Sequence, residues 1–231
     1  MTVSAETSTN WTSREACLDR LLEFVEMVRQ GSHFAEAKIA IAKVIDQFPD
    51  DVSILHTSGV IQKLMSEFEE ATGLFQKVLE LHPGFYFSQI EIAAIHQEAG
   101  DKREALAWYR RAIAAEPGFP LAYIRAALLC RELGMSWDGL LLLDDMHKHL
   151  PDHIEGNLLR AEFLQYHGRR PEVAIAYKAA IDAGCRDSTV QFNYMRVMTE
   201  IGAYESVLKY AEELAPTSDE LLRRHCAVFS G

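Results

Sequence analysis

Four of the seven prolines of this chain stand on one lattice: Pro49, Pro83, Pro117 and Pro151 are each 34 residues apart. A proline cannot extend a helical hydrogen-bond ladder, so a regular spacing of prolines marks regularly spaced helix ends. Other columns keep the same period. Counting back 24 residues gives Val25, Gly59, Ala93, Ala127, Ala161 and Met195, where the fifth lattice point is Cys185 instead of a proline. Counting back 12 gives Ala37, Ala71, Ala105, Gly139, Val173 and Val207, and counting back 8 gives Ile41, Phe75, Tyr109, Leu143, Tyr177 and Ala211. Gly100, Gly134, Gly168 and Gly202 form a further column.

Each column has a physical role. Small residues let two helix axes approach closely, and large apolar ones fill the space between neighbouring pairs. The glycines mark the tight turn inside a pair, where a positive φ is easiest without a Cβ. Between Glu104 and Ala115 the apolar residues Ala105, Leu106, Tyr109, Ala112 and Ile113 recur at helical steps. A fixed period of this length is the signature of a stacked helical repeat.

The pattern resembles the tetratricopeptide repeat. The stretches Gly59…Phe68…Ala71…Phe75…Pro83 and Ala93…Gly100…Ala105…Tyr109…Ala112…Pro117 match that family's small, aromatic and proline columns. The resemblance implies an all-α, right-handed superhelical solenoid of six helix-turn-helix repeats, roughly 18–51, 52–85, 86–119, 120–153, 154–187 and 188–221. Val25 and Met195 depart from the small column in the first and sixth repeats, as terminal repeats often do. In the fifth, Gly184 is expected to cap the second helix in place of a proline. The solenoid is expected over 13–221, after a disordered leader at 1–12 and before a short capping helix at 222–231.

Composition narrows the partner. A net charge of −11 repels phosphate backbones, which argues against nucleic acid. No run approaches the roughly 18 apolar residues of a membrane span, so membrane insertion is not expected. Cys17, Cys130, Cys185 and Cys226 form no C-x-x-C pair, and reduced thiols in a cytoplasmic protein are the simplest account. His147, His149 and His153 cluster, but the first two are two apart on a helix and point about 200° from one another, so helix-end histidines are expected, not metal ligands. No glycine-rich phosphate loop, G-x-S-x-G or H-E-x-x-H occurs. The chain is therefore read as a non-enzyme without metal or cofactor.

The resemblance implies that the first helices line an inner, concave face. Stepping by threes and fours gives Phe87, Ile90, Ala94 and Gln97 in the third repeat. The fourth gives Leu121, Ile124, Leu128 and Arg131, and the fifth Glu155, Leu158, Glu162 and Gln165. The expected site is an apolar groove of Phe87, Ile90, Ala94, Leu121, Ile124, Leu128 and Leu158, rimmed by Lys63, Arg125, Arg131 and Glu162. The family's carboxylate clamp of Lys and Asn is absent, because Leu22, Glu26, His56, Val60, Ile90 and Ala94 occupy its positions. The asparagine ladder of some protein glycosyltransferases is also absent, with only Asn193 at a ladder position. A scaffold or adaptor that holds a protein segment with apolar anchors is the expected function. The alternative is the substrate-recognition module of a larger enzyme such as a protein glycosyltransferase. Trp108, Leu141 and Leu142 on the outer face, or Leu221, Leu222, Val228 and Phe229 at the C-terminal edge, offer self-association surfaces.

Overall fold

The computed structural model describes residues 13–214. The leader read at 1–12, the capping helix at 222–231 and the strip of Leu221, Leu222, Val228 and Phe229 lie outside the described residues. The described residues hold twelve α-helices and no strand. The first pair is α1 (Arg14–Arg29) and α2 (Phe34–Gln47), the second α3 (Val52–Leu64) and α4 (Phe68–Leu81), and the third α5 (Tyr86–Glu98) and α6 (Lys102–Ala115). Then come α7 (Pro120–Glu132) with α8 (Ser136–His149), α9 (Ile154–Tyr166) with α10 (Arg170–Asp182), and α11 (Ser188–Glu200) with α12 (Tyr204–Leu214). The chain is an all-α helical-repeat solenoid of the tetratricopeptide kind, in two compact units, Met1–Glu116 and Pro117–Gly231.

The lattice prolines act through the residue in front of them. Phe48, His82, Glu116 and Leu150 close the second helices with φ between −132° and −141° and ψ between 64° and 89°. The proline ring disfavours the helical conformation of its predecessor, and each of these helices stops there. Where the proline is missing, α10 runs to Ala183 and turns on Gly184 at φ +105°. Inside the pairs, Gly100, Gly134, Gly168 and Gly202 take φ between +71° and +85°, and Ser66 holds the same turn in the second pair at φ +63°. Buried amides tie the loops down: Gln89 donates to the Pro83 carbonyl at 2.9 Å and Asn157 to the Pro151 carbonyl at 2.6 Å.

The small column explains how tightly the pairs close. Gly59, Ala93, Ala127 and Ala161 are buried where α3 meets α4, α5 meets α6, α7 meets α8 and α9 meets α10. A Cβ on Gly59 would come within 2.7 Å of the Phe75 ring, so those axes have no spare room. With Val25 in the column, α1 cannot approach α2 in this way. It turns Cys17, Leu21, Phe24 and Val28 inward and rests more on α3 than on α2. Met195, fully buried, packs against Val207 and Ala211 of the described part of α12.

Candidate functional site

Within each unit the first helices of successive pairs touch: α1 with α3 and α3 with α5 in one, α7 with α9 in the other. Their free sides carry the residues that the sequence reading placed on an inner face. In the N-terminal unit the third pair presents Phe87, 41% exposed, at one end of α5. It joins an aromatic group in which His56 lies 5.2 Å from Phe85 and 6.2 Å from Phe87 between ring centroids. Burial pushes the His56 imidazole below its ordinary pKa, with Glu91 opposing and Lys63 adding to the shift, and its Nδ1 sits 3.0 Å from Ser88 Oγ. Lys63 is ion-paired with Glu91 across α3 and α5, and Ala94 is half-buried. Ile90, read from the sequence as groove, is instead packed away at 8% exposure.

In the C-terminal unit Leu121 is 39% exposed, Leu128 and Leu158 are half-buried and Arg125 is exposed. Ile124, also read as groove, is buried at 7%. The physical reason for both is phase. A step of three from Phe87 or Leu121 rotates 300°, which swings the side chain onto the flank that packs against a neighbouring helix. A charge placed at either isoleucine would therefore disturb packing.

Two of the rim residues meet. Arg131 on α7 donates to Glu162 on α9 at 3.4 Å, and its guanidinium lies 5.7 Å from the Phe163 ring centre. With Gly134, Ser136, Phe163 and Tyr166 they line a notch of about 290 Å³. Tyr166 is 80% exposed although it ends a helix whose other face is core. Sequence reasoning passed over this residue. The signal was present: the residues one and two repeats away are Glu132, Glu98 and Glu200, so Tyr166 is an aromatic in an acidic column. Beside the notch, His167 Nε2 lies 3.1 Å from Ser136 Oγ and its ring stacks on Trp137 at 3.8 Å.

The remaining candidates take structural roles. His147 Nδ1 is 2.9 Å from Asn157 Oδ1, and His153 caps α9 by accepting from the Gly156 amide at 3.1 Å. Among the described residues no group of three His, Cys, Asp or Glu side chains is placed to hold a metal. On the outer side, Trp108 is half-buried against Phe75 and its neighbours with Arg111 4.4 Å over its ring, whereas Leu141 is 64% exposed. No described helix is long and apolar enough to cross a membrane.

No protein-family model and no curated protein matches the sequence. Solved structures do match in fold. PilF of Pseudomonas aeruginosa aligns with a TM-score of 0.60 at 13% identity, covering 94% of this chain and 98% of its own. A tetratricopeptide repeat protein from Parabacteroides merdae aligns at 0.57 and 17% identity, covering 93% and 87%. YrrB, described as a tetratricopeptide protein with an unusual peptide-binding site, aligns at 0.55 and 15% identity, covering 81% and 97%.

Proposed function

We propose that this chain, a helical-repeat protein by fold, is a non-catalytic scaffold that holds a segment of another protein on its inner helix faces. The observation that carries the reading is the pair of touching helices α7 and α9. They leave Leu121 near the start of α7 at 39% exposure and Tyr166 at the end of α9 at 80%, while Tyr123, Leu129 and Phe163 on the same two helices are at 2% or less. Apolar side chains gathered on one exposed face mark interaction surfaces. Leu128 and Leu158 are half-buried on the same two helices, and Phe87 with Ala94 offers similar ground on α5. Arg125, exposed among them, favours acidic residues next to the partner's apolar anchors. The likeness to YrrB supports peptide binding as the use of such a face. A cytoplasmic home belongs to the same reading, supported by Cys17, Cys130 and Cys185, which are buried and form no disulfide among the described residues.

Affinity capture with the intact protein, followed by mass spectrometry, tests it. A partner recovered by the wild type and lost by Leu121→Asp, with circular dichroism unchanged, is the expected result. Partners retained by that variant, or none recovered above a scrambled control, would refute the inner face as the binding surface.

A further inference from the structure

The notch between α7 and α9 has a twin. Adding 34 to each lining residue of the first, Arg131, Gly134, Ser136, Glu162, Phe163 and Tyr166, gives Gln165, Gly168, Arg170, Arg196, Val197 and Glu200. Those six, with Val173, line a second notch of about 100 Å³ between α9 and α11. The repeat lattice thus builds one crevice twice, at the end of a first helix, across its turn and against the next first helix. Its chemistry differs between the two copies.

The first notch is apolar at its base and neutral at its rim. Phe163 forms the floor, Tyr166 the exposed wall, and Arg131 and Glu162 satisfy each other across it. Its volume lies at the lower end of the roughly 300–1,000 Å³ of small-molecule sites, enough room for one large side chain. In the second notch Arg170 stands where the first has Ser136, Arg196 where it has Glu162, and Glu200 where it has Tyr166. Arg170 donates to Glu200 at 3.0 Å and Arg196 at 2.5 Å. The hydrogen bond from Arg170, opposed by burial and aided by Arg196, holds the Glu200 carboxyl below the usual range. Two guanidiniums on one carboxylate leave a surplus positive charge and further N–H donors, on a chain whose net charge is −11. That surplus is complementary to a carboxylate, and a guanidinium fork binds one well.

Neighbouring helices pack about 8–10 Å apart, and an extended chain advances about 3.3 Å per residue. Taking that packing distance as the least spacing of successive first helices, adjacent notches are at least about three residues of extended chain apart. We propose that the twin notches form a two-point site for an extended, acidic segment of a partner protein. One large apolar or aromatic side chain enters the Phe163–Tyr166 notch, and a carboxylate at least about three positions away reaches Arg170 and Arg196. This rests on the scaffold reading and names the chemistry of its partner.

Selecting random peptides displayed on phage against the intact chain tests the site. Recovered peptides should share an apolar residue and an Asp or Glu at least about three positions apart. Fluorescence anisotropy with a recovered peptide should show about tenfold weaker binding for Tyr166→Ala and again for Arg170→Glu. Both residues are exposed, at 80% for Tyr166 and 62% for the Arg170 side chain, so helicity should be unchanged. Changing the peptide's acid to Lys should abolish binding to the wild type and restore part of it on Arg170→Glu. Peptides without a recurrent acid, or binding indifferent to both variants, overturn the site. Peptides lost on Leu121→Asp yet indifferent to the notch variants would overturn it while sustaining the scaffold reading, and a selection that enriches nothing overturns both.

Discussion

Adding one methyl group at Gly59 and the same group at Gly73 should move stability in opposite directions. Both glycines lie within helices, α3 and α4. Replacing a helical glycine by alanine contributes about 1 kcal/mol through lost chain freedom and better propensity. At Gly73 a new Cβ meets nothing within 4 Å and the position is exposed, so the whole gain should be realised. At Gly59 the new Cβ lands 2.7 Å from one atom of the Phe75 ring and 3.0 Å from two more. Phe75 is fully buried and backed by His56 at 5.5 Å, so the ring has nowhere to swing. Overpacking of this kind costs about 1–3 kcal/mol, and three ring atoms in a closed site put the cost at the upper end. The net expectation is a loss of about 1–2 kcal/mol for Gly59→Ala and a gain of about 1 kcal/mol for Gly73→Ala. In thermal unfolding followed by circular dichroism, a gain of that size raises the midpoint by about 2–4 °C. Combining Gly59→Ala with Phe75→Leu should cost less than the sum of the two single changes, because the smaller side chain clears the clash. A Gly59→Ala protein as stable as the wild type would refute the claim that close helix approach fixes this column.

Two further expectations concern protons and caps. His56 has a folded-state pKa below its unfolded value, so it contributes stability that is present above about pH 6.5 and lost as the pH falls through the folded value. Urea midpoints of the wild type should drop more than those of His56→Gln between about pH 7.5 and 5.5, and parallel profiles would remove the histidine from the account. Asp51 caps α3 by accepting from the Ile54 amide at 3.0 Å and pairs with Arg14. Burial alone would raise its carboxyl, but hydrogen bonds from Arg14 and the Ile54 amide outweigh that and hold it low, so its contribution is lost as pH falls through the folded value. Asp51→Ala should cost about 1 kcal/mol in urea unfolding at neutral pH, and a change within error would show the cap to be replaceable by water.

The helix pairs were legible because each lattice column answers to local sterics that a neighbouring chain cannot alter. Proline biases its predecessor away from the helical conformation, and Gly100 and Gly168 take a positive φ that glycine reaches without a Cβ penalty. The inner surface was harder, because it depends on helix phase. Stepping by three from Phe87 and Leu121 selects Ile90 and Ile124, which turn into the packing, whereas a step of four reaches Glu91 and the exposed Arg125. A rotation of about 100° per residue separates those choices, and apolarity favours the wrong one because buried flanks are apolar too. In a repeat, agreement with a column reports the fold and departure from it reports what is particular to the position. Val25 departs from the small column, and there α1 rests more on α3 than on its own partner α2. Tyr166 departs from Glu98, Glu132 and Glu200, and Arg170 stands where the preceding repeat has Ser136. Neither change is needed to close a helix pair, since both side chains are largely exposed. They alter only what the crevice offers to another molecule, so the notches, more than the larger apolar face, are where this chain differs from the repeat it is built on.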